Sequence, residues 1–450
     1  MLFRSVKLIK KIRSKILAAL LCAGVVFTCA GCSRAALNAQ IAESIGTLGQ
    51  YENNEPVQTP QMKAQADLKA LEDTKEAALT KVLQEAQALA DVYDYEAAME
   101  KLGEVAEEYK KDDRVVQAKI EYQQKMGEME AYDGDIPHIY FKSLIVDTAR
   151  AFDGDGNSAL YNSSMTTVSE FNKMMEEMYK KGYVLIDIHE TVTEVEQEDG
   201  SVTYVRSTPM VPEGKKPFVL SIDNVNYYEY MENDGFAKRL VLDENGDVKN
   251  LYVDAGGNEL IGNYDIVPIL DDFIKQHPDF SLRGARGIVG VTGYEGVFGY
   301  RVNDAQSSTY EADCEAVRKI ADRLRKTGWQ IASNTYNYSH LDELSFEEVK
   351  EDTDMWTDGV EDLVGESDIL LYPYGEEVEY PSDKLDYLEK SGFVFLCGMW
   401  GDKEFLQANT GYVRQTRREF SGYALHYRAE SMEDFFDPAQ IIDPARPAFE

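Results

Sequence analysis

From Asp135 onward, short apolar runs alternate with amphipathic helical stretches, and that alternation restricts the fold more than any other feature of the chain. Residues 139–146, 184–188, 218–222, 287–291, 329–332, 368–372 and 393–396 read as strands. Between them the spacing predicts helices over 167–181, 265–276, 311–327, 345–363 and 384–391, the first opened by a capping box of Thr167 and Glu170. Asp199-Gly200 and Asn245-Gly246 mark two hairpins. Strands separated by helices pair in parallel with the helices outside, as an α/β barrel or a wound sheet. Such folds place reactive groups at the C-terminal ends of their strands.

The start of the chain has a different texture. Residues 1–15 are basic, 16–28 form an apolar run, and Cys29-Ala30-Gly31-Cys32 follows, which is the order of a secretory signal. The run is too short to span a bilayer. A Cys directly after Ala-Gly resembles the bacterial lipobox, with Cys29 where Leu is commonest. The resemblance implies removal of residues 1–31, diacylation of Cys32 and a lipid anchor on the extracytoplasmic face of a bacterial cell membrane. Two acyl chains suffice for stable attachment. Losing the leader takes the formal charge from −35 to −41, so no nucleic-acid partner is expected. Cys314 and Cys397 lie in the folded part; a disulfide is allowed, and two buried free thiols are expected.

Residues 32–61 are polar and read as a flexible tether, and 62–132 as a helical spacer. Leu79, Val82, Ala86, Leu89 and Tyr93 recur at steps of 3 and 4 on one helix. Asp94 caps a second, which carries Ala98, Leu102, Val105 and Tyr109, and Asp112-Asp113 opens a third. The segment 93–98 resembles the turn of a tetratricopeptide unit, though a single unit does not make a solenoid. Its role is packing or spacing, with docking of a protein partner through 62–130 as the alternative.

In the remainder, 133–450, the informative strand ends are Asp223-Asn224, then Asn334-Thr335-Tyr336-Asn337-Tyr338, then Tyr372-Pro373-Tyr374-Gly375. Their order and spacing resemble the NodB-type polysaccharide deacetylases, carbohydrate esterase family 4. That family ends one strand in Asp-Asp, follows with His-Ser/Thr-x-x-His, and ends a later strand in aromatic-Pro-aromatic-Gly. Asn226-Tyr227-Tyr228-Glu229-Tyr230 and Thr292-Gly293-Tyr294-Glu295-Gly296 look like a surface-attached subgroup. The resemblance implies a distorted (β/α) barrel of the glycoside hydrolase/deacetylase type, preceded by the small tetratricopeptide-like helical region. It also implies N-acetyl hydrolysis on cell-surface or peptidoglycan-type polysaccharide.

That chemistry takes a divalent metal held by one carboxylate and two imidazoles, beside an Asp that accepts the proton of a metal-bound water. Here the base position is kept as Asp223, while the ligand positions carry Asn224, Asn334 and Tyr338. Amides and a neutral phenol are weak donors, so no cofactor is expected, and a zinc-like metal only through an atypical ligand set. His340 and His189 are the imidazoles for such a set. His426 in Ala424-Leu425-His426 resembles the family's Leu-x-His and is the candidate general acid, and Lys142 stands where relatives often carry His. The run Asp153-Gly154-Asp155-Gly156-Asn157 starts like a calcium loop but has Ser164 at position twelve, and reads as a polar turn. Tyr227, Tyr228, Tyr336, Tyr372 and Tyr374 are candidates to stack on sugar rings, with Tyr338 and Trp400 beside them. The expectation is a tethered, catalytically degenerate glycan-binding relative of the deacetylases. The alternatives are an active amide hydrolase and a docking or solute-binding lipoprotein.

Overall fold

The structure, a computed structural model, describes residues 59–400 and 404–449. The leader, Cys32 and all but the last residues of the tether lie outside them. Three helices come first, α1 (Pro60–Asp91), α2 (Tyr95–Lys101) and α3 (Asp113–Gly127). Asp94 caps α2 by accepting from Ala97 N (3.1 Å), and Asp112 caps α3 by accepting from Arg114 N (2.9 Å). α2 is shorter than its periodicity suggests. It stops before Leu102-Gly103, where glycine costs a helix about 1 kcal/mol, and Glu107–Tyr109 forms a separate 3₁₀ turn. Residues Thr74–Glu450 make one compact unit. Within it the helical region is a packing partner: Val92 O accepts from Arg283 N (2.7 Å), and Tyr93 OH donates to Asp279 O (3.2 Å).

The main sheet is built from β1 (His138–Phe141), β2 (Lys216–Ile222), β3 (Ile288–Val291), β4 (Gln330–Ser333), β5 (Ile369–Leu371), β6 (Phe395–Gly398), β7 (Val413–Thr416) and β8 (Arg418–Glu419). They lie in the order β7-β6-β5-β4-β3-β2-β1-β8, every neighbouring pair parallel. Only Arg417 separates β7 from β8 in the chain. The sheet therefore curls until one bent segment pairs with β6 on one side and with β1 on the other, Leu406–Ala408 lying antiparallel outside β7, and the protein is a mixed α/β fold around a curled, half-barrel sheet. Side chains alternate as strand geometry requires. Val219, Ile288, Ile369, Leu371, Phe395 and Cys397 share the inner core, while Leu220, Ile222, Val289, Leu370 and Leu396 pack with the helices.

The covering helices are α4 (Val168–Lys180), α5 (Ile266–Gln276), α6 (Tyr310–Lys326), α7 (Phe346–Met355) and α8 (Asp383–Lys390). Thr167 and Glu170 form the expected capping box on α4, and the buried Glu170 also accepts from Arg446 Nε (2.6 Å), tying the C-terminal segment to that helix. Three expectations need correction. The first strand ends at Phe141 instead of running to 146, and Ile188 belongs to a 3₁₀ turn, Ile188–Thr191. The helix expected over 345–363 is interrupted by a π turn at Trp356–Val360, where the Trp356 indole N–H donates to Val291 O (3.0 Å). Both hairpins form, Val192–Glu196 with Val202–Arg206 and Ala237–Leu242 with Val248–Val253. Cys314 and Cys397 are buried free thiols.

Inside the sheet, His138 is buried with Nε2 2.9 Å from Ser221 Oγ and Nδ1 3.1 Å from Gln415 Oε1. Burial, with Arg417 nearby, pushes its imidazole down to about 3. The unfolded chain then binds more protons between that value and about 6.5, so acid favours unfolding in this window. Urea midpoints are expected to fall as pH is lowered from 6.5 toward 4, and less steeply in His138→Gln. Equal slopes would show that His138 is not the source.

Candidate functional site

At the C-terminal ends of β2 and β3 the chain turns through left-handed backbone. Asn224 (φ 59°), Tyr227 (φ 50°) and Glu295 (φ 54°), and after β4 and β5 Thr335 (φ 62°), Tyr338 (φ 53°) and Tyr374 (φ 58°), all lie at positive φ. Non-glycine residues hold such conformations only where their surroundings dictate them, and they gather at binding and active sites. Asp352 of α7 fixes one of these loops, accepting from Tyr336 N and Asn337 N, both at 3.0 Å.

The loops enclose a cleft of about 430 Å³, lined among others by Asp223, Asn224, Tyr228, Tyr338, Tyr374 and Lys142. A larger hollow of about 630 Å³ lies along α7 among Glu347, Glu351 and Asp354, and Tyr336 is its sole residue from the strand ends. The cleft is the better candidate because the strand-end side chains converge there. Asp223, Asn224 and Tyr338 line it directly. Asn334 is fully buried beneath.

Asp223, Asn224 and Asn334 are already engaged. The buried Arg417 donates through Nη1 to Asp223 Oδ1 (2.5 Å) and through Nη2 to Tyr372 O (3.0 Å), with its guanidinium carbon 4.7 Å from the centre of the Tyr140 ring. Asn334 Oδ1 accepts from Asn224 N (2.9 Å), and its Nδ2 donates to Leu371 O (3.0 Å). Gly290 makes room for that amide, since a Cβ there would lie 2.3 Å from Asn334 Oδ1. Asn224 Oδ1 accepts from Tyr228 OH (2.9 Å), which is also 3.0 Å from Thr292 Oγ1. Burial, reinforced by Asp223, holds the Tyr338 phenol well above its ordinary pKa, so it is a neutral hydroxyl at pH 7.

The aromatic candidates divide. Tyr228 and Tyr374 line the cleft, the latter 47% exposed. Tyr227 is buried and accepts from Asn250 Nδ2 (3.1 Å), and Tyr372 is buried with its hydroxyl 3.2 Å from that of Tyr380. Neither is free to meet a sugar. Tyr336 faces the hollow along α7, and Trp400 packs against Phe405 with ring centroids 5.2 Å apart. Two walls that the sequence reading did not single out as sugar contacts are Tyr230 (47% exposed) and Tyr294 (52% exposed). Their signal was present in the tyrosine-rich segments after β2 and β3.

The histidines do not gather there. His426 is exposed on Gly422–Tyr427 and stacks on Phe449 at 4.9 Å, so the structure gives it no place in the cleft lining. His189 sits at the opposite end of the sheet, with Nδ1 2.6 Å from Asp187 and Nε2 3.0 Å from Asp368, which precedes β5. Burial opposes its charge, but the two carboxylates outweigh burial and raise the imidazole to about 10. His340 lies flat on Tyr374 (3.9 Å between ring centres), hydrogen-bonds Glu376, and with Asp342 and Glu376 forms a rim group whose potential donor atoms all lie within 4.8 Å. In the run at Asp153, Asp155 Oδ1 accepts from Asn157 N (2.8 Å) and Ser158 N (3.0 Å), which makes it a turn.

Comparison with known proteins gives two likenesses. The family model for polysaccharide deacetylase matches residues 300–396, a span that includes Asn334, Tyr338 and Tyr372–Gly375. The Streptococcus pyogenes deacetylase PplD, solved in complex with acetate, is similar at 11% identity and a TM-score of 0.37, over 69% of this chain and 99% of that one. No curated protein matches. By the family match, residues 300–396 of the cleft-bearing domain are a stretch of polysaccharide deacetylase type.

Proposed function

We propose that the chain is a membrane-tethered glycan-binding protein whose deacetylase-type cleft holds an N-acetylated polysaccharide without hydrolysing it. The observation that carries this reading is the engagement of the donor atoms. A metal in the family's position would need Asn224 and Asn334 to give up internal hydrogen bonds, and a neutral Tyr338 hydroxyl to act as ligand. Those residues do not fit a tightly held divalent ion, and no hydrolytic step is derived through one. The general base position is likewise held by a cation, Arg417. The exposed faces of Tyr230, Tyr294 and Tyr374 suit the apolar C–H surfaces of sugar rings. The signal-like leader 1–31, with Cys32 directly after it, supports attachment to the outer face of the cell membrane.

Calorimetric titration with N-acetylglucosamine oligomers tests binding, and acetate release tests turnover. The mature chain is expected to bind and to release no acetate with or without added zinc, and Tyr294→Ala to weaken binding several-fold. Restoring Asn224→Asp, Asn334→His and Tyr338→His together is the positive arm: zinc-dependent acetate release confined to that variant supports the reading. Acetate release by the unaltered chain at the same rate contradicts it.

A further inference from the structure

Lys142 follows β1 directly and lines the cleft half-buried, yet among the described residues its ammonium has no hydrogen-bond or ion-pair partner. Its surroundings make this unusual. The other charged groups on the cleft wall are committed: Asp223 to Arg417, and Glu295, whose Oε2 accepts from Glu229 N (2.8 Å). A ligand that brings the opposite charge would give this ammonium the partner it lacks, as a charge-assisted hydrogen bond.

We propose that Lys142 is an anion subsite of the cleft, and that the glycan it accepts carries a carboxylate, as a uronic acid or an acid-substituted hexosamine does. This rests on the glycan-binding reading above and adds the ligand's charge. The geometry assigns the parts of the ligand. Tyr230, Tyr294 and Tyr374 give faces for neutral rings, and Lys142 gives the one uncommitted cation among the described lining residues. The formal charge of −35 repels a dense polyanion, so the fitting ligand spaces its carboxylates with neutral sugars. At physiological ionic strength the remote acids are screened beyond about 8 Å, which leaves the local contact to decide. A single ammonium meets a carboxylate as a point charge with three rotatable donors and imposes no bidentate geometry on it.

The test uses the mature chain and three probes: a hyaluronan tetrasaccharide, which alternates glucuronate with N-acetylglucosamine, the same tetrasaccharide with its carboxyls reduced to alcohols, and an N-acetylglucosamine tetramer. The acidic tetrasaccharide is expected to bind about 10-fold or more tighter than its reduced form, as a charged hydrogen bond implies. Lys142→Met is expected to collapse that ratio toward 1, and Lys142→Arg to retain most of it, which separates charge recognition from a folding defect. Equal affinity for the acidic and reduced probes, or a ratio that survives in Lys142→Met, overturns the anion subsite while leaving glycan binding intact. Binding of none of the three probes overturns both.

Discussion

Replacing Arg417 by Met is expected to cost the fold about 3–5 kcal/mol, the range for breaking a buried ion pair from one side. The guanidinium is fully enclosed, and its removal strands the Asp223 carboxylate, itself 2% exposed, and the Tyr372 carbonyl. It also sits where β7 gives way to β8, so the bend that joins the strand beside β6 to the strand beside β1 loses its tie to β2. The cost comes from the stranded charge more than from the pair as such, because an ion pair of this depth gains little over an apolar replacement. The double variant Arg417→Met with Asp223→Asn is therefore expected to recover a substantial part of the loss. Urea unfolding measures both. A loss below about 1 kcal/mol in the single variant, or a double variant no more stable than it, would show that the charge is not what the site depends on.

Asn334→Ala is the second large effect. It leaves the part-buried Asn224 N–H and the buried Leu371 carbonyl without partners, at about 1–3 kcal/mol each, for a total of about 2–6 kcal/mol. Asn334→Asp separates the two bonds, since a carboxylate still accepts from Asn224 N but cannot donate to Leu371 O. It is expected to be destabilising as well, with the loss lessening as pH falls and the acid becomes a donor. Gly290→Ala should resemble Asn334→Ala, because its Cβ would overlap the amide oxygen. If Asn334→Ala unfolds at the same urea concentration as the unaltered chain, the amide is a spectator.

The strands whose cores are apolar runs were legible in the sequence, and so were the residues at their ends. Phe218–Ile222 is apolar apart from Ser221 and stops at Asp223, so the position of Asp223 and Asn224 followed from the pattern. Arg417 was not legible. β7 and β8 are four and two residues long, carry Arg414, Gln415, Arg418 and Glu419, and give no periodic signal, so the closing segment reads as loop. The division of the tyrosines was equally hidden. Tyr372 and Tyr374 stand two apart in one motif, yet the turn between them sends the first into the core and the second into solvent. Pattern alone placed both at a strand end and could not give the direction of either. The break of the long helix at Trp356 was hidden for a related reason, since a π turn keeps the amphipathic pattern while changing which residue points inward.

Metal content decides whether the cleft side chains can hold an ion. The mature chain is stripped with chelator, incubated with excess zinc, passed over a desalting column and assayed for zinc per chain, beside His340→Ala to remove any ion held by the rim group of His340, Asp342 and Glu376. Engagement of Asn224 and Asn334 within the fold, and the neutrality of the Tyr338 hydroxyl, require that His340→Ala retain well under one tenth of an equivalent. A full equivalent of zinc in His340→Ala, lost on Asn224→Ala, would mean that those side chains release their internal partners to hold a metal, and would contradict the account.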